Sequence, residues 1–149
     1  MKKLLLIIFL STPLFAEVKM TPLNEYLEIE NQADPKVLLY VISRCSAINF
    51  NLADISDDVK ELQDRGLLRG EKLSQMAETL RKIIRKELPS ADNKIADNKR
   101  INENAINLIF NEYVKIMNEN YAKTGIYFTD WMRDDLSTCS VLYEQSIDE

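Results

Sequence analysis

One segment, residues 35–55, constrains the fold of this chain more than any other. Its apolar residues recur three or four positions apart, the spacing of one face of an α-helix; they are Leu38, Val41, Cys45, Ile48, Leu52 and Ile55. Asp34 and Pro35 stand at its start, where an Asp side chain accepts bonds from free amides and proline fits the first turn. The only charged residue in its middle is Arg44. We therefore predict that this segment is the central helix of an all-helical protein.

Helical patterns also occur in the rest of the chain. The predicted helices are a short one after the N-cap signal Thr21-Pro22 and three longer ones over Gly70–Leu88, Ile101–Lys123 and Thr129–Glu144. Only three glycines and four prolines occur in 149 residues, which disfavours a turn-rich β architecture. We predict an all-α fold, a small helical bundle of four to five helices.

The connections between these helices follow from local signals. Ser56 is a candidate N-cap and Gly66 fits a helix stop, which predicts a short helix after the central one. The alternative is one continuous helix from Pro35 to Arg65. Residues 90–100, which follow Pro89, are predicted to be a loop or the first turns of the next helix.

Two further signals lie between the last two predicted helices. Thr124-Gly125 is expected to end the Ile101–Lys123 helix, because glycine adopts the left-handed conformation that closes a helix. Thr129 is expected to cap the last helix, because its hydroxyl can accept a bond from a free amide of the first turn.

The N-terminus has the three parts of a secretory signal peptide. Lys2 and Lys3 form a basic region, residues 4–10 form an uninterrupted apolar run (LLLIIFL), and Ala16 precedes an acidic residue. This pattern predicts cleavage near Ala16 and a periplasmic or secreted protein. The apolar run is short for a stable membrane span. Retention of the segment as an N-terminal anchor is the alternative.

Removal of residues 1–16 leaves a single helical domain, residues 17–149. It holds 17 basic and 24 acidic residues, a net charge of −7. Such a charge disfavours nucleic acid and anionic lipid as main partners and weakly favours a cationic one. We expect a protein partner in the cell envelope and no stable membrane span.

The chain has two cysteines, Cys45 and Cys139. In an exported protein they allow one intramolecular pairing, which an oxidising compartment favours. That disulfide would join the central and last helices and close a loop of about 95 residues, worth up to ~4.7 kcal/mol in the chain-entropy model. Two free thiols or an intermolecular bridge are the alternatives.

Arg44, next to the first cysteine, leads to a candidate site. A guanidinium within an apolar run needs an anionic partner, and Asp135 lies one helical turn before the second cysteine. Pairing of the cysteines would bring Asp135 near Arg44, and Tyr40, one turn before Arg44, would join a polar network. Two interpretations remain open: a buried ion pair, or a ligand pocket floored by Arg44, Asp135 and Tyr40 with Trp131 at its rim.

The residue types exclude several classes of chemistry. The chain has no histidine, no C-x-x-C motif and too few glycines for a phosphate-binding loop, which removes His-based triads, thioredoxin-like redox sites and P-loops. Carboxylates remain, in two clusters: Asp54, Asp57, Asp58 and Asp130, Asp134, Asp135. Neither has the spacing of a calcium loop, and acids are common at helix starts. We predict no catalytic residue, no metal and no cofactor.

These observations favour a non-catalytic binding or accessory protein of the cell envelope. The first alternative is an inhibitor or immunity-type protein that blocks a secreted enzyme, favoured by the small size, the negative charge and the disulfide. The second is a carboxylate-based cell-wall hydrolase, which would need two carboxylates about 5–10 Å apart across a cleft.

Overall fold

A computed structural model describes residues 20–87 and 98–146. In these ranges the chain forms five helices and no strand: α1 (Leu23–Ile29), α2 (Pro35–Asp54), α3 (Lys60–Glu87), α4 (Asn98–Thr124) and α5 (Asp130–Gln145). The predicted all-α bundle is confirmed, and so is the disulfide between the central and last helices, Cys45–Cys139. The predictions for residues 1–16, Pro89 and residues 90–97 fall outside the described residues.

Helix α2 is the centre of the bundle. It begins as predicted: Pro35 is its first residue, and the Asp34 side chain accepts a hydrogen bond from the backbone N–H of Lys36 at 2.8 Å. Residues 41–49 are all buried, because α3, α4 and α5 all pack against this helix. The predicted apolar stripe therefore covers too small a part of the helix surface in the middle of α2, where residues on all sides are buried. At the start of α2 the stripe overestimates burial, because Leu38 is 41% exposed.

The hydrophobic core follows the axis of α2 and draws on all five helices. Its buried apolar side chains include Leu23, Val41, Ile48, Leu73, Ala77, Ile106, Tyr113, Met117 and Met132. Full burial of one large aliphatic side chain contributes about 1.5–3 kcal/mol. This packing encloses the middle of α2, and with it the only charged residue there, Arg44.

The structure corrects both predictions for the segment after α2. Helix α3 is one helix that starts at Lys60 and runs without interruption through Gly66 and Gly70. Gly66 is therefore not a helix stop, and the helix predicted from Gly70 begins ten residues earlier. No helix continues from Pro35 to Arg65 either, since α2 ends at Asp54.

Close packing between α2 and α3 explains the two glycines. A Cβ on Gly66 would lie 2.7 Å from the backbone oxygen of Asn49 and 2.9 Å from the backbone nitrogen of Ala53. A Cβ on Gly70 would lie 2.7 Å from the ring of Phe50. Glycine inside a helix costs roughly 0.5–1 kcal/mol relative to alanine. Here the close approach of the two helices offsets that local cost.

The connection between α4 and α5 agrees with the sequence signals. Gly125 has a φ of +75°, and its N–H donates to the backbone oxygen of Tyr121 at 2.8 Å, which ends α4. Thr129 caps α5, since its hydroxyl oxygen accepts from the N–H of Met132 at 3.3 Å. Both predictions rest on rules that act within one turn of helix, and both are confirmed.

Candidate functional site

Arg44 projects from α2 into a closed polar cluster between α1, α4 and α5. Its guanidinium forms an ion pair with Asp135 of α5, through Nη2 and Oδ2. Nε donates to the hydroxyl oxygen of Tyr113 in α4 at 3.0 Å, and Nη1 donates to the backbone oxygen of Thr21 at 2.5 Å. The planar guanidinium therefore binds three partners that come from three parts of the chain.

Asp135 accepts hydrogen bonds from three different donors. Its Oδ2 accepts from Arg44 and from the hydroxyl of Tyr113, the latter at 2.7 Å. Its Oδ1 accepts from the backbone N–H of Leu23, the first residue of α1, at 2.7 Å. The N-cap position of α1 is Pro22, which makes no side-chain cap. Asp135 therefore caps α1 from another helix, where a carboxylate also suits the positive end of the helix dipole.

Thr21 has a different role from the predicted one. The sequence predicts it as the N-cap of the first helix, but Pro22 occupies that position. Thr21 instead supplies its backbone carbonyl oxygen to Arg44. The reason is tertiary, because α1 packs against α5 and Asp135 of α5 takes over the capping.

Burial governs the electrostatics of this cluster. Arg44 is 0% exposed and Asp135 is 1% exposed. Burial lowers the pKa of Arg44, but Tyr113 and Asp135 raise it by more, so the net shift is upward and the guanidinium stays charged. Burial also raises the pKa of Tyr113, against the opposing charge of Arg44, so its hydroxyl stays protonated and donates to Asp135.

The structure brings together all four residues of the predicted site. The guanidinium carbon of Arg44 lies 5.9 Å from the ring centres of both Tyr40 and Trp131, within the range of a cation–π contact. Tyr40 thus contacts Arg44 through its aromatic ring. The hydroxyl of Tyr40 takes part in none of the described hydrogen bonds of Arg44. Its ring packs against Tyr26, with centroids 4.8 Å apart.

This geometry is that of a buried ion pair. A ligand pocket would need a floor open to solvent, and neither Arg44 nor Asp135 provides such a surface. The neighbouring disulfide brings the Cα atoms of Cys45 and Cys139 to 5.2 Å and so holds α2 and α5 in the position that the ion pair needs. Through these contacts the cluster joins four helices, α1, α2, α4 and α5.

Sequence reasoning missed Tyr113 as a member of the cluster. The helical period places Tyr113 on the apolar face of α4, and it is fully buried there. Nothing in the period indicates which polar partner a buried tyrosine meets. The signal that was available is chemical, since a buried tyrosine hydroxyl usually finds a hydrogen-bond partner.

A cavity of about 430 Å³ lies between the C-terminal end of α2, the residues that follow it, and α4. We call it the acidic cavity, because three carboxylates and no basic side chain line it: Asp54, Asp57 and Asp58. Its apolar wall includes Ile55, Val114, Met117 and Tyr127. The first carboxylate cluster of the sequence therefore faces one concave surface.

A second cavity, of about 660 Å³, lies between α3 and α4 and has mixed charge. Glu71, Glu78, Glu103 and Lys99 line it. Lys99 pairs with Glu103 at 3.8 Å, and Glu78 pairs with Lys82. Most of its charge is therefore neutralised within the protein, unlike that of the acidic cavity.

The other carboxylate cluster of the sequence is divided by the fold. Asp130 lies at the surface in an ion pair with Arg133, whereas Asp135 is buried beside Arg44. Within residues 20–87 and 98–146, no group of three or more acidic or cysteine side chains is placed to hold a metal ion.

Over the same residues, every helix is too short or too polar to cross a membrane. Comparison of the chain with protein-family models, with curated proteins and with solved structures gave no significant match.

Proposed function

We propose that this protein is an exported, non-catalytic binding or accessory protein of the cell envelope, with a protein as its partner. Two features support export. The basic, apolar and cleavage regions of residues 1–16 follow the order of a signal peptide, and the Cys45–Cys139 disulfide suits an oxidising compartment.

The observation that carries the proposal of binding is an exposed aromatic pair. Tyr121 and Tyr127 stack with ring centroids 4.3 Å apart and an angle of 13° between their planes. They are 48% and 38% exposed, and Ile126, which lies between them in the sequence, is 53% exposed. We call these three residues the tyrosine patch. Tyrosine is enriched in protein interfaces because it offers a large, rigid and amphipathic contact area.

The backbone that carries the tyrosine patch is held by side-chain hydrogen bonds. The amide nitrogen of Asn120 donates to the backbone oxygen of Ile126 at 2.8 Å, and the N–H of Ile126 donates to the hydroxyl oxygen of Thr124 at 3.2 Å. The hydroxyl of Thr124 donates to the backbone oxygen of Asn120 at 2.9 Å. An interface that is ordered before binding loses less entropy when the partner binds.

Site-specific photocrosslinking in cells tests this proposal. The full chain is expressed with its own N-terminus in a bacterium, with the photoreactive residue at Tyr127 in one variant and at Leu68 in a control. Leu68 is also exposed, but it lies on α3. We expect a mature N-terminus at Glu17, an oxidised cystine, and a discrete envelope crosslink from position 127 alone. Retention of the chain in the cytoplasm, or equal crosslinking from both positions, contradicts the proposal.

An inhibitor or immunity-type protein is the second candidate. The observation that favours it is the acidic cavity, which adjoins the tyrosine patch at Tyr127 and suits the basic surface of a secreted enzyme. An assay of a lysozyme-like basic enzyme with increasing amounts of this protein tests it. Stoichiometric loss of enzyme activity supports inhibition, and full activity at a large excess rejects it for that enzyme class.

A further inference from the structure

We propose that the acidic cavity binds a lysine or arginine side chain of the partner protein. This inference rests on the proposed function, since it names the chemistry of the partner that the tyrosine patch contacts. It is carried by the charge of the cavity, by the unpaired amide oxygen of Asn51, a buried residue that lines it, and by the continuity of the cavity with the tyrosine patch.

The charge of the cavity is the first argument. Asp54, Asp57 and Asp58 line it, and no ion pair links any of them to a basic side chain among the described residues. Asp54 and Asp57 also line a smaller adjoining cavity of about 300 Å³. Carboxylates around a concave surface with no compensating cation produce a focused negative potential, which attracts a positive group.

A buried amide oxygen is the second, independent argument. Asn51 is fully buried and lines the acidic cavity. Its amide nitrogen donates to the backbone oxygens of Ala47 and Phe110, at 3.0 and 3.4 Å. Because both partners are carbonyl oxygens, they fix the orientation of the amide. The Oδ1 atom accepts no hydrogen bond, and a buried acceptor without a donor is unfavourable. Ammonium and guanidinium groups carry donors only.

The shape and lining of the cavity favour an amphipathic organic cation. The three carboxylates do not form a group placed to hold one metal ion. An elongated organic cation can instead lie near more than one of them. Ile55, Val114 and Met117 give the cavity an apolar wall. Lysine and arginine combine an apolar stem with a charged end, and they bury the stem against such a wall.

Continuity with the tyrosine patch favours a protein over a free amine. Tyr127 lines the acidic cavity and stacks on the exposed ring of Tyr121. A chain whose basic side chain enters the cavity therefore continues across two exposed aromatic rings. Exposed tyrosine rings bind guanidinium groups and other aromatic side chains by stacking. A peptide can place one side chain in the cavity and a second one on these rings, whereas a free amine is too short to contact both.

A peptide titration followed by NMR tests the proposal on the oxidised protein. The probe is a capped tetrapeptide of glycine, arginine, phenylalanine and glycine. The matched peptide carries citrulline, which has the shape of arginine without its charge, and agmatine serves as a free cation. We expect saturable shifts of amide signals at Asn51, Asp57 and Tyr127 with the arginine peptide only. Equal binding of the citrulline peptide, or binding of agmatine as tight as that of the arginine peptide, overturns the proposal.

Charge variants provide the second part of the test. The double variant Asp57→Asn/Asp58→Asn removes two charges of the acidic cavity, and Glu25→Gln/Glu28→Gln removes two exposed charges of α1, which does not line it. We expect the first to weaken peptide binding about fivefold, the size of two partly exposed charge pairs, and the second to change it less than twofold. Equal effects of the two variants overturn the proposal.

The two proposals fail in different ways. Should position 127 crosslink a partner in cells while the arginine peptide does not bind, the cavity is not the cation site and the binding function stands. Should the chain not be exported while the peptide binds at the cavity, the cation site stands and the envelope function fails.

Discussion

Asp135 and the carboxylates of the acidic cavity are the same chemical group in opposite situations. Asp135 is 1% exposed and accepts hydrogen bonds from Arg44, Tyr113 and Leu23. Asp57 and its neighbours line an open cavity and form no ion pair with a basic side chain among the described residues. Buried, fully paired charge joins four helices of this bundle. The carboxylates at the C-terminal end of α2 have no basic partner among the described residues and are the proposed contact of a cationic group.

Loss of the disulfide beside the buried cluster has the largest expected effect on the free energy of unfolding. The double variant Cys45→Ala/Cys139→Ala opens a loop with a sequence separation of 94 residues. We expect the free energy of unfolding to fall by up to about 4.7 kcal/mol, measured by urea titration with the fluorescence of Trp131. Reduced wild-type protein is the control and should unfold at the same urea concentration as the variant. A loss below about 1 kcal/mol contradicts the proposed importance of this clamp.

Removal of the buried carboxylate tests the comparison directly. Asp135→Asn leaves the Arg44 guanidinium buried without its counter-charge, which costs about 4 kcal/mol. The matched single variant is Asp57→Asn, which we expect to change stability by less than about 0.5 kcal/mol. Urea unfolding of both variants gives the two values. Similar losses for the two aspartates would remove the distinction between paired and unpaired carboxylates.

Arg44→Met separates structure from binding. We expect it to lower stability by about 4 kcal/mol, because it leaves the buried carboxyl group of Asp135 without its cation. Combination with Asp135→Asn should cost less than the sum of the two single variants, because the two residues act on each other. The affinity for the arginine peptide should not change in the folded fraction, measured by NMR. A loss of affinity with unchanged stability would instead favour a pocket at Arg44.

A smaller effect is expected on the pH dependence of stability. Burial raises the pKa of Tyr113, so above pH 10 the folded protein keeps a proton that the unfolded chain releases. The contribution of Tyr113 is therefore complete below pH 10 and falls as the pH rises further, by up to about 1.4 kcal/mol per pH unit. The raised pKa of Arg44 acts with the same sign at still higher pH.

A tyrosine variant isolates this contribution. Tyr113→Phe should flatten the decline of stability between pH 10 and pH 11. Urea unfolding at each pH, compared with the wild-type protein, measures this change. An unchanged decline in Tyr113→Phe shows that the buried hydroxyl does not titrate as the structure indicates.

The smallest expected effect on stability accompanies the proposed effect on binding. Asp57→Asn/Asp58→Asn changes two exposed side chains at the surface, so we expect a change in the free energy of unfolding within about 0.5 kcal/mol. The same variant should bind the arginine peptide about fivefold more weakly. Thermal melts recorded beside the peptide titration check both values. A large loss of stability would place these carboxylates in the structure rather than at its binding surface.

Local rules determined much of this protein from its sequence. The start of α2 at Pro35, the glycine that ends α4 and the threonine that caps α5 were predictable, because each depends on contacts within a few residues. The all-α class followed from the helical spacing of apolar residues. The disulfide followed because two cysteines allow one intramolecular pairing, and its position brought Arg44 and Asp135 into reach of each other.

Only the tertiary structure decided the rest, because the deciding atoms lie far apart in the sequence. From the sequence alone Gly66 is predicted to end a helix. In the structure it is required by the packing of α2, since a Cβ at this position would lie 2.7 Å from the backbone oxygen of Asn49. Tyr113 and the N–H of Leu23 became partners of Asp135 only when α1, α4 and α5 came together. Which carboxylates are paired and which face an open cavity depends on that packing, since charge alone does not distinguish Asp135 from Asp57.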